Sequence, residues 1–239
     1  MKFVLSQKYA TPELEAMMMG PNPVKLAEEL LQDNLISKNG TVCDLGSGRG
    51  LTSAFIAKEY GFVVYAADLW SEPEEHRDFF KNMGLSDEQI IPVKADATEG
   101  LPFDKEQLDA IVSVDSFHYF GSDPKLLDEK LLPYVKHGGY VYVAIPGMKK
   151  DCHDALPEEL LLSWTPEALA TMHDVGYWRN IVEQSHDSEV VCVSEMESND
   201  ELWADWLRQE NGYAINDRKA MEAGGGKYFN FVKIILKKR

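Results

Sequence analysis

Val42-Cys43-Asp44-Leu45-Gly46-Ser47-Gly48-Arg49-Gly50-Leu51-Thr52-Ser53 decides how the rest of this 239-residue chain reads. A short apolar run ends in an acid, three glycines follow in alternate positions, and a helix-compatible stretch continues to Tyr60 through Ala54, Phe55 and Ile56. The pattern is a strand, a sharp turn and a helix. Glycines at 46, 48 and 50 let the backbone turn tightly and lie against a ligand with no side chain in between. The unpaired N–H groups at the start of the helix point at whatever fills the loop.

The spacing argues against a nicotinamide dinucleotide. That fingerprint places glycines at relative positions one, three and six. Counted from Gly46 the sixth residue is Leu51, and counted from Gly48 it is Ser53. A Tyr-x-x-x-Lys pair is missing as well, since Tyr140, Tyr142 and Tyr177 are followed four positions on by Ala144, Pro146 and Ile181. The carboxylate of Asp44 beside the loop suits a ligand with positive charge, and S-adenosylmethionine carries both an ammonium and a sulfonium.

Outward from this run the chain alternates between strand and helix. Phe62–Ala67 reads as a second strand ending at Asp68, 24 residues after Asp44. That is close to the roughly 20 residues at which such folds place a ribose-binding carboxylate. Leu69 and Trp70 follow, suited either to an adenine face or to ordinary packing. Ile90–Lys94 forms a third strand before Ala95-Asp96-Ala97. Ala110–Val114 forms a fourth, leading into Asp115-Ser116-Phe117-His118-Tyr119-Phe120. Tyr140–Ile145 forms a fifth, announced by a turn at His137-Gly138-Gly139. The alternation predicts a parallel sheet with helices on both faces, an α/β architecture. Upstream, Asn22 as N-cap and Pro23 at the first helical position start a helix through Leu26, Leu30 and Leu31. Downstream, Thr165-Pro166-Glu167 opens another helix, and residues 189–194 and 228–236 alternate as two more strands.

With its acid-x-Gly-x-Gly-x-Gly run and the acids at successive strand tips, the chain resembles the class I S-adenosylmethionine-dependent methyltransferases of small-molecule type. The resemblance implies a Rossmann-like doubly wound sheet of seven strands, mostly parallel, with an antiparallel last strand inserted between the fifth and sixth. It implies S-adenosylmethionine as cofactor, held by Asp44, Gly46, Ser47, Gly48, Asp68, Leu69, Asp96, Ala97 and Asp115. In such enzymes an acid in the place of Asp96 accepts from the adenine amino group, and the resemblance puts the Asp115–Phe120 segment beside the methionine moiety and the methyl group. His118 is then the candidate general base, because its ordinary pKa near 6.5 suits proton transfer at neutral pH. The Asn-Pro-Pro-Tyr type of motif that marks methylation of planar amines is replaced by Asp115-Ser116-Phe117-His118, which implies a small-metabolite acceptor.

The remaining composition sets bounds. A net charge of −16, from 24 basic and 40 acidic residues, argues against nucleic acid and against an anionic membrane surface. Cys43, Cys152 and Cys192 are too few and too scattered for a disulfide framework or a zinc site. No apolar run reaches the length of a membrane span. A cytoplasmic protein is therefore expected. No metal site is expected either, although His153 stands near Asp151 and Asp154. The whole chain reads as one domain, residues 1–239. Residues 1–36 are expected to form a helical cap and residues 195–227 an inserted, lid-like segment in which Trp203 and Trp206 pack. A non-catalytic S-adenosylmethionine-binding module would show the same loop. The acceptor and the oligomeric state are not readable from the sequence.

Overall fold

In the computed structural model, which describes residues 3–239, seven strands form one sheet. They are β1 (Thr41–Leu45), β2 (Val63–Asp68), β3 (Ile90–Lys94), β4 (Leu108–Val114), β5 (Val135–Met148), β6 (Ser188–Glu195) and β7 (Phe229–Lys238). Their order is β3-β2-β1-β4-β5-β7-β6. Pairs within β3-β2-β1-β4-β5 are parallel, while β7 runs antiparallel to both β5 and β6. This is the doubly wound, mostly parallel sheet expected from the sequence. Strand order reverses between β1 and β4, and in open α/β sheets ligands bind outside the carboxyl ends of strands at such a point.

Eight α-helices accompany the sheet: α1 (Pro12–Glu15), α2 (Pro23–Leu30), α3 (Leu51–Tyr60), α4 (Pro73–Asn82), α5 (Pro166–Leu169), α6 (Val175–Val182), α7 (Asn199–Trp206) and α8 (Gly212–Glu222). The α2 start is set as the sequence predicts: Asn22 Oδ1 accepts from the Val24 and Lys25 amides, both at 3.1 Å, with Pro23 next. Helix α3 has no polar face over its first seven residues, and Leu51 through Ala57 are all buried. One side meets the sheet and the other is covered by the start of the chain. There the Tyr9 ring stands edge-on to Phe55 with centroids 5.2 Å apart, and the Tyr9 hydroxyl donates to Glu59. Glu28 holds that covering segment by accepting from the Leu5 and Ser6 amides at 2.9 and 2.7 Å.

Residues 195–227 fold largely as α7 and α8, and α7 docks on α2. Asp205 accepts from Asn22 Nδ2 at 2.8 Å and pairs with Lys25 Nζ at 2.7 Å. Trp203 and Trp206 are buried, and Trp206 Nε1 donates to Asp217 Oδ2 at 2.9 Å. Among the described residues, no helix is long and apolar enough to cross a membrane.

Apart from shifts of one or two residues at strand ends, the structure departs from the sequence reading in two places. The link from β3 to β4 contains no helix; Gly100 and Pro102 interrupt a stretch too short to build one across the sheet. Strand β5 begins at Val135 rather than Tyr140. His137-Gly138-Gly139 is a bend inside the strand, with Gly138 at φ +74°, and the β4–β5 register shifts between Leu108 and Ala110. A glycine pair that reads as a turn here absorbs an irregularity in the ladder.

Candidate functional site

The carboxyl ends of β1, β2, β3 and β4 surround a cleft of about 480 Å³. Its walls are the glycine loop, the segments following β2, β3 and β4, and Met17, Met19, Gly20 and Pro23 from the start of the chain. No residue of 195–227 lines it. The segment expected as a lid reaches the cleft only indirectly, through its grip on Asn22 and Lys25.

Three carboxylates on the β1–β3 side are committed to shaping the loops. Asp44 lies buried beneath the glycine loop, where its Oδ2 accepts from Thr52 Oγ1 at 2.8 Å and Ser53 Oγ at 2.6 Å. Burial pushes its pKa up to about 6 against the opposing pull of the two hydroxyls, and the charge of Asp68 adds to the rise. Asp44 Oδ1 and the neighbouring Ser47 Oγ are buried without a partner. Asp68 receives three backbone N–H groups: Gly48 on Oδ2 at 2.9 Å, and Trp70 and Ser71 on Oδ1 at 2.9 and 2.8 Å. It therefore fixes the glycine loop to the turn after β2, a task not legible from its position at a strand tip. Asp96 closes a tight turn by accepting on Oδ1 from the Thr98 amide and hydroxyl, which hold its carboxyl below the usual range. Ala97 lies beside it on the wall.

The glycines serve the sheet as well as the cleft. Gly46, Gly48 and Gly50 all have positive φ, at +79°, +53° and +82°. A Cβ on Gly46 would overlap the Ser116 side chain, whose Oγ donates to Leu45 O at 2.8 Å and lies 2.7 Å from Ser113 Oγ. The tips of β1 and β4 thus touch through that missing side chain. Leu69 and Trp70 are exposed, and Trp70 faces the equally exposed Tyr119 across the cleft mouth with ring centroids 6.4 Å apart.

The β4 side differs. Asp115 is a non-glycine residue at φ +58°, its backbone amide donating to Ala144 O at 2.8 Å. Burial alone raises its pKa to about 7. Neither carboxyl oxygen has a hydrogen-bond partner among the described residues, and Gly20 lies so close that a Cβ there would stand 2.6 Å from Oδ2.

His118, the base expected from the sequence, is in a different position. It is only 2% exposed, in a 3₁₀ turn over Phe117–Tyr119, and is absent from the cleft wall formed by Asp115, Ser116, Tyr119 and Phe120. Burial lowers its pKa to about 3, and Nδ1 has no partner. Such burial disfavours the charged ring and sets it behind the cleft wall, tilted against Tyr119 with centroids 3.9 Å apart. The turn after β4 presents Asp115 to the cleft and folds His118 behind it.

A second cluster lies outside the cleft. Asp151 bonds through Oδ1 to His153 Nδ1 at 2.6 Å and through Oδ2 to His173 Nδ1 at 2.7 Å. His173 is 22 positions away and escaped the sequence reading, because no local spacing links it to Asp151.

Residues 43–143 match the family described as a methyltransferase domain. A sarcosine/dimethylglycine N-methyltransferase of Aphanothece halophytica is 28% identical over 144 residues, 60% of this chain and 50% of that protein. The chain spans half the length, or less, of the curated relatives it matches. Among solved structures, a Haemonchus contortus phosphoethanolamine N-methyltransferase 2 bound to S-adenosyl-L-methionine superposes with a TM-score of 0.72 at 16% identity, covering 99% of this chain and 59% of that one. A geranyl diphosphate C-methyltransferase from Streptomyces coelicolor gives 0.68 at 16% identity, covering 89% and 75%. The chain thus resembles a methyltransferase domain in sequence over residues 43–143 and shares the fold of solved methyltransferases over nearly its whole length.

Proposed function

We propose that this chain transfers a methyl group from S-adenosylmethionine to a nitrogen of a small, cationic amine bound beside Asp115. One observation carries the choice of acceptor: the Asp115 carboxyl is recessed, unpartnered and held in an uncommon backbone conformation at the edge of the cleft. A bare carboxylate in such a place is costly unless a positive charge meets it. Strain of this kind persists where the surroundings over-determine it, often at functional sites. A substituted amine supplies the charge, whereas a hydroxyl or an acidic carbon does not. Curated relatives named for sarcosine and dimethylglycine N-methylation support an amine.

S-adenosylmethionine, when bound, supplies a methyl carbon made electrophilic by its sulfonium. The protein's part is to align and to exclude water. The unpartnered Asp44 Oδ1 and Ser47 Oγ, with the remaining lone pairs of Asp68 and Asp96, fit a ligand that carries an ammonium, ribose hydroxyls and an adenine amino group. Trp70 and Tyr119 offer aromatic faces to a cation at the mouth. Gly20 packs against Asp115, and Met19 lies over Gly48 on the same wall. Asp115 orients the amine and, with a pKa near 7, accepts its proton. The acidic surface suits a cationic metabolite better than nucleic acid. Three unpaired cysteines fit the cytoplasm.

Calorimetry with S-adenosylmethionine, its demethylated product and NAD, followed by turnover on a panel of primary to tertiary amines and hydroxyl compounds, tests this reading. The first two ligands should bind, NAD should not, and amines should be methylated. Asp115→Asn should lower kcat/KM by about 10²–10³-fold, equivalent to about 3–4 kcal/mol, while cofactor affinity stays within about threefold. Binding without turnover on any acceptor would mark a non-catalytic module. Methylation confined to hydroxyl compounds would overturn the amine.

A further inference from the structure

Asp151, His153 and His173 converge at the carboxyl end of β5, one strand away from β4 and apart from the cleft wall. Their ligand-type atoms all lie within 4.8 Å of one another, and all three residues are partly buried. Two elements supply them. Asp151 and His153 follow β5, whereas His173 precedes α6, and the Met148 amide donates to His173 O at 3.2 Å to hold the two segments together.

The orientation of the rings is what makes this more than a surface cluster. His153 Nε2 faces Leu169 O at 2.9 Å, a contact that requires its proton. With Nε2 engaged there, the ring is held so that Nδ1 points at Asp151 Oδ1, 2.6 Å away, a position that a proton fills in the metal-free site and that a metal ion would take over. Histidine ligands are commonly oriented in this way, with the far ring nitrogen donating to a backbone carbonyl. The second ring is also fixed in place, since His173 stacks on Tyr177 with centroids 3.5 Å apart. Asp174 accepts the Asp151 amide on Oδ2 and caps α6 through Oδ1, so the carboxylate ligand is held from behind.

We propose that Asp151, His153 and His173 form a binding site for a divalent transition-metal ion of the zinc class. Two imidazoles and one carboxylate match that class, and three protein ligands leave a position open for water or an anionic group. A metal here ties the end of β5 to the start of α6. The assignment does not depend on the methyl-transfer reading.

The test uses the full chain, stripped with a chelator and titrated with ZnCl₂ by calorimetry, with visible d–d absorption of Co²⁺ as a second readout. His153→Gln and His173→Ala are compared with the wild type, and His186→Ala controls for a solvent-facing histidine. Circular dichroism confirms that each variant is folded. One equivalent of Zn²⁺ should bind with Kd below about 10 µM, and each ligand variant should weaken it at least about tenfold while His186→Ala does not. Binding weaker than this, or binding that survives either ligand substitution, would overturn the site.

Discussion

The two halves of the cleft treat their acids in opposite ways. On the β1–β3 side, Asp44, Asp68 and Asp96 all accept hydrogen bonds from hydroxyls or backbone amides, and the loops are locked before any ligand arrives. On the β4 side, Asp115 accepts none and sits in a backbone region that costs energy. The first half has its loops braced and leaves only single buried atoms, Asp44 Oδ1 and Ser47 Oγ, for a ligand to meet. The second leaves a whole carboxyl without a partner, and that asymmetry separates a surface largely shaped in advance from one that a bound molecule must complete.

The largest expected effect on stability comes from breaking the seam between the halves. Gly46→Ala combines a positive φ with overlap against Ser116 and should cost about 3 kcal/mol in stability, measured by denaturant unfolding. An unchanged midpoint would mean that the tips of β1 and β4 can part freely.

A smaller effect isolates the β4 side by pH. A carboxyl whose folded pKa is raised favours the folded state when protonated. For Asp115 that contribution is complete below about pH 4, the ordinary range, and is lost as pH rises through about 7. Asp44 adds to the same trend up to about pH 6. The wild type should therefore lose stability between about pH 4 and 7 from these two groups. Asp115→Asn should regain about 2 kcal/mol at pH 8, about half the full linkage value because the residue is only partly buried. A variant no more stable than the wild type at pH 8 would show that Asp115 is not strained as an anion.

On the braced side, Asp68→Asn keeps the shape but leaves one acceptor oxygen for three N–H groups. It should cost about 1–2 kcal/mol and weaken S-adenosylmethionine about tenfold by calorimetry. If both hold for Asp68 while Asp115→Asn spares cofactor affinity, the contrast between the halves is sharpened. The smallest effect is expected at His118: His118→Asn should leave the apparent pKa of the rate profile unmoved, because the ring stands outside the cleft. A shifted profile would restore it as the base.

Much of this was legible in the sequence, for a definite reason. Strands buried on both faces write themselves as unbroken apolar runs, and the end of β4 and the core of β5 stand where those runs stand. Asn22 and Pro23 announced α2 through local chemistry alone. Burial of a single polar residue has no such local signature. Nothing in Ser116-Phe117-His118-Tyr119 says which ring turns inward, and the 3₁₀ turn that decides it depends on contacts with β5. Asp115 was marked for the cleft, but its lack of partners is a property of the folded surroundings. The pairing of Asp151 with His173 depends on the sheet bringing β5 up to α6.

The close approach of Gly46 to Ser116 has an evolutionary corollary. A descendant that abandoned its nucleoside altogether would still be barred from placing any side chain at 46 while serine stood at 116. The hallmark of the loop can thus outlive the trade it once served. When such a hallmark turns up in an unfamiliar chain, the residue across the seam is the one to inspect before a ligand is credited.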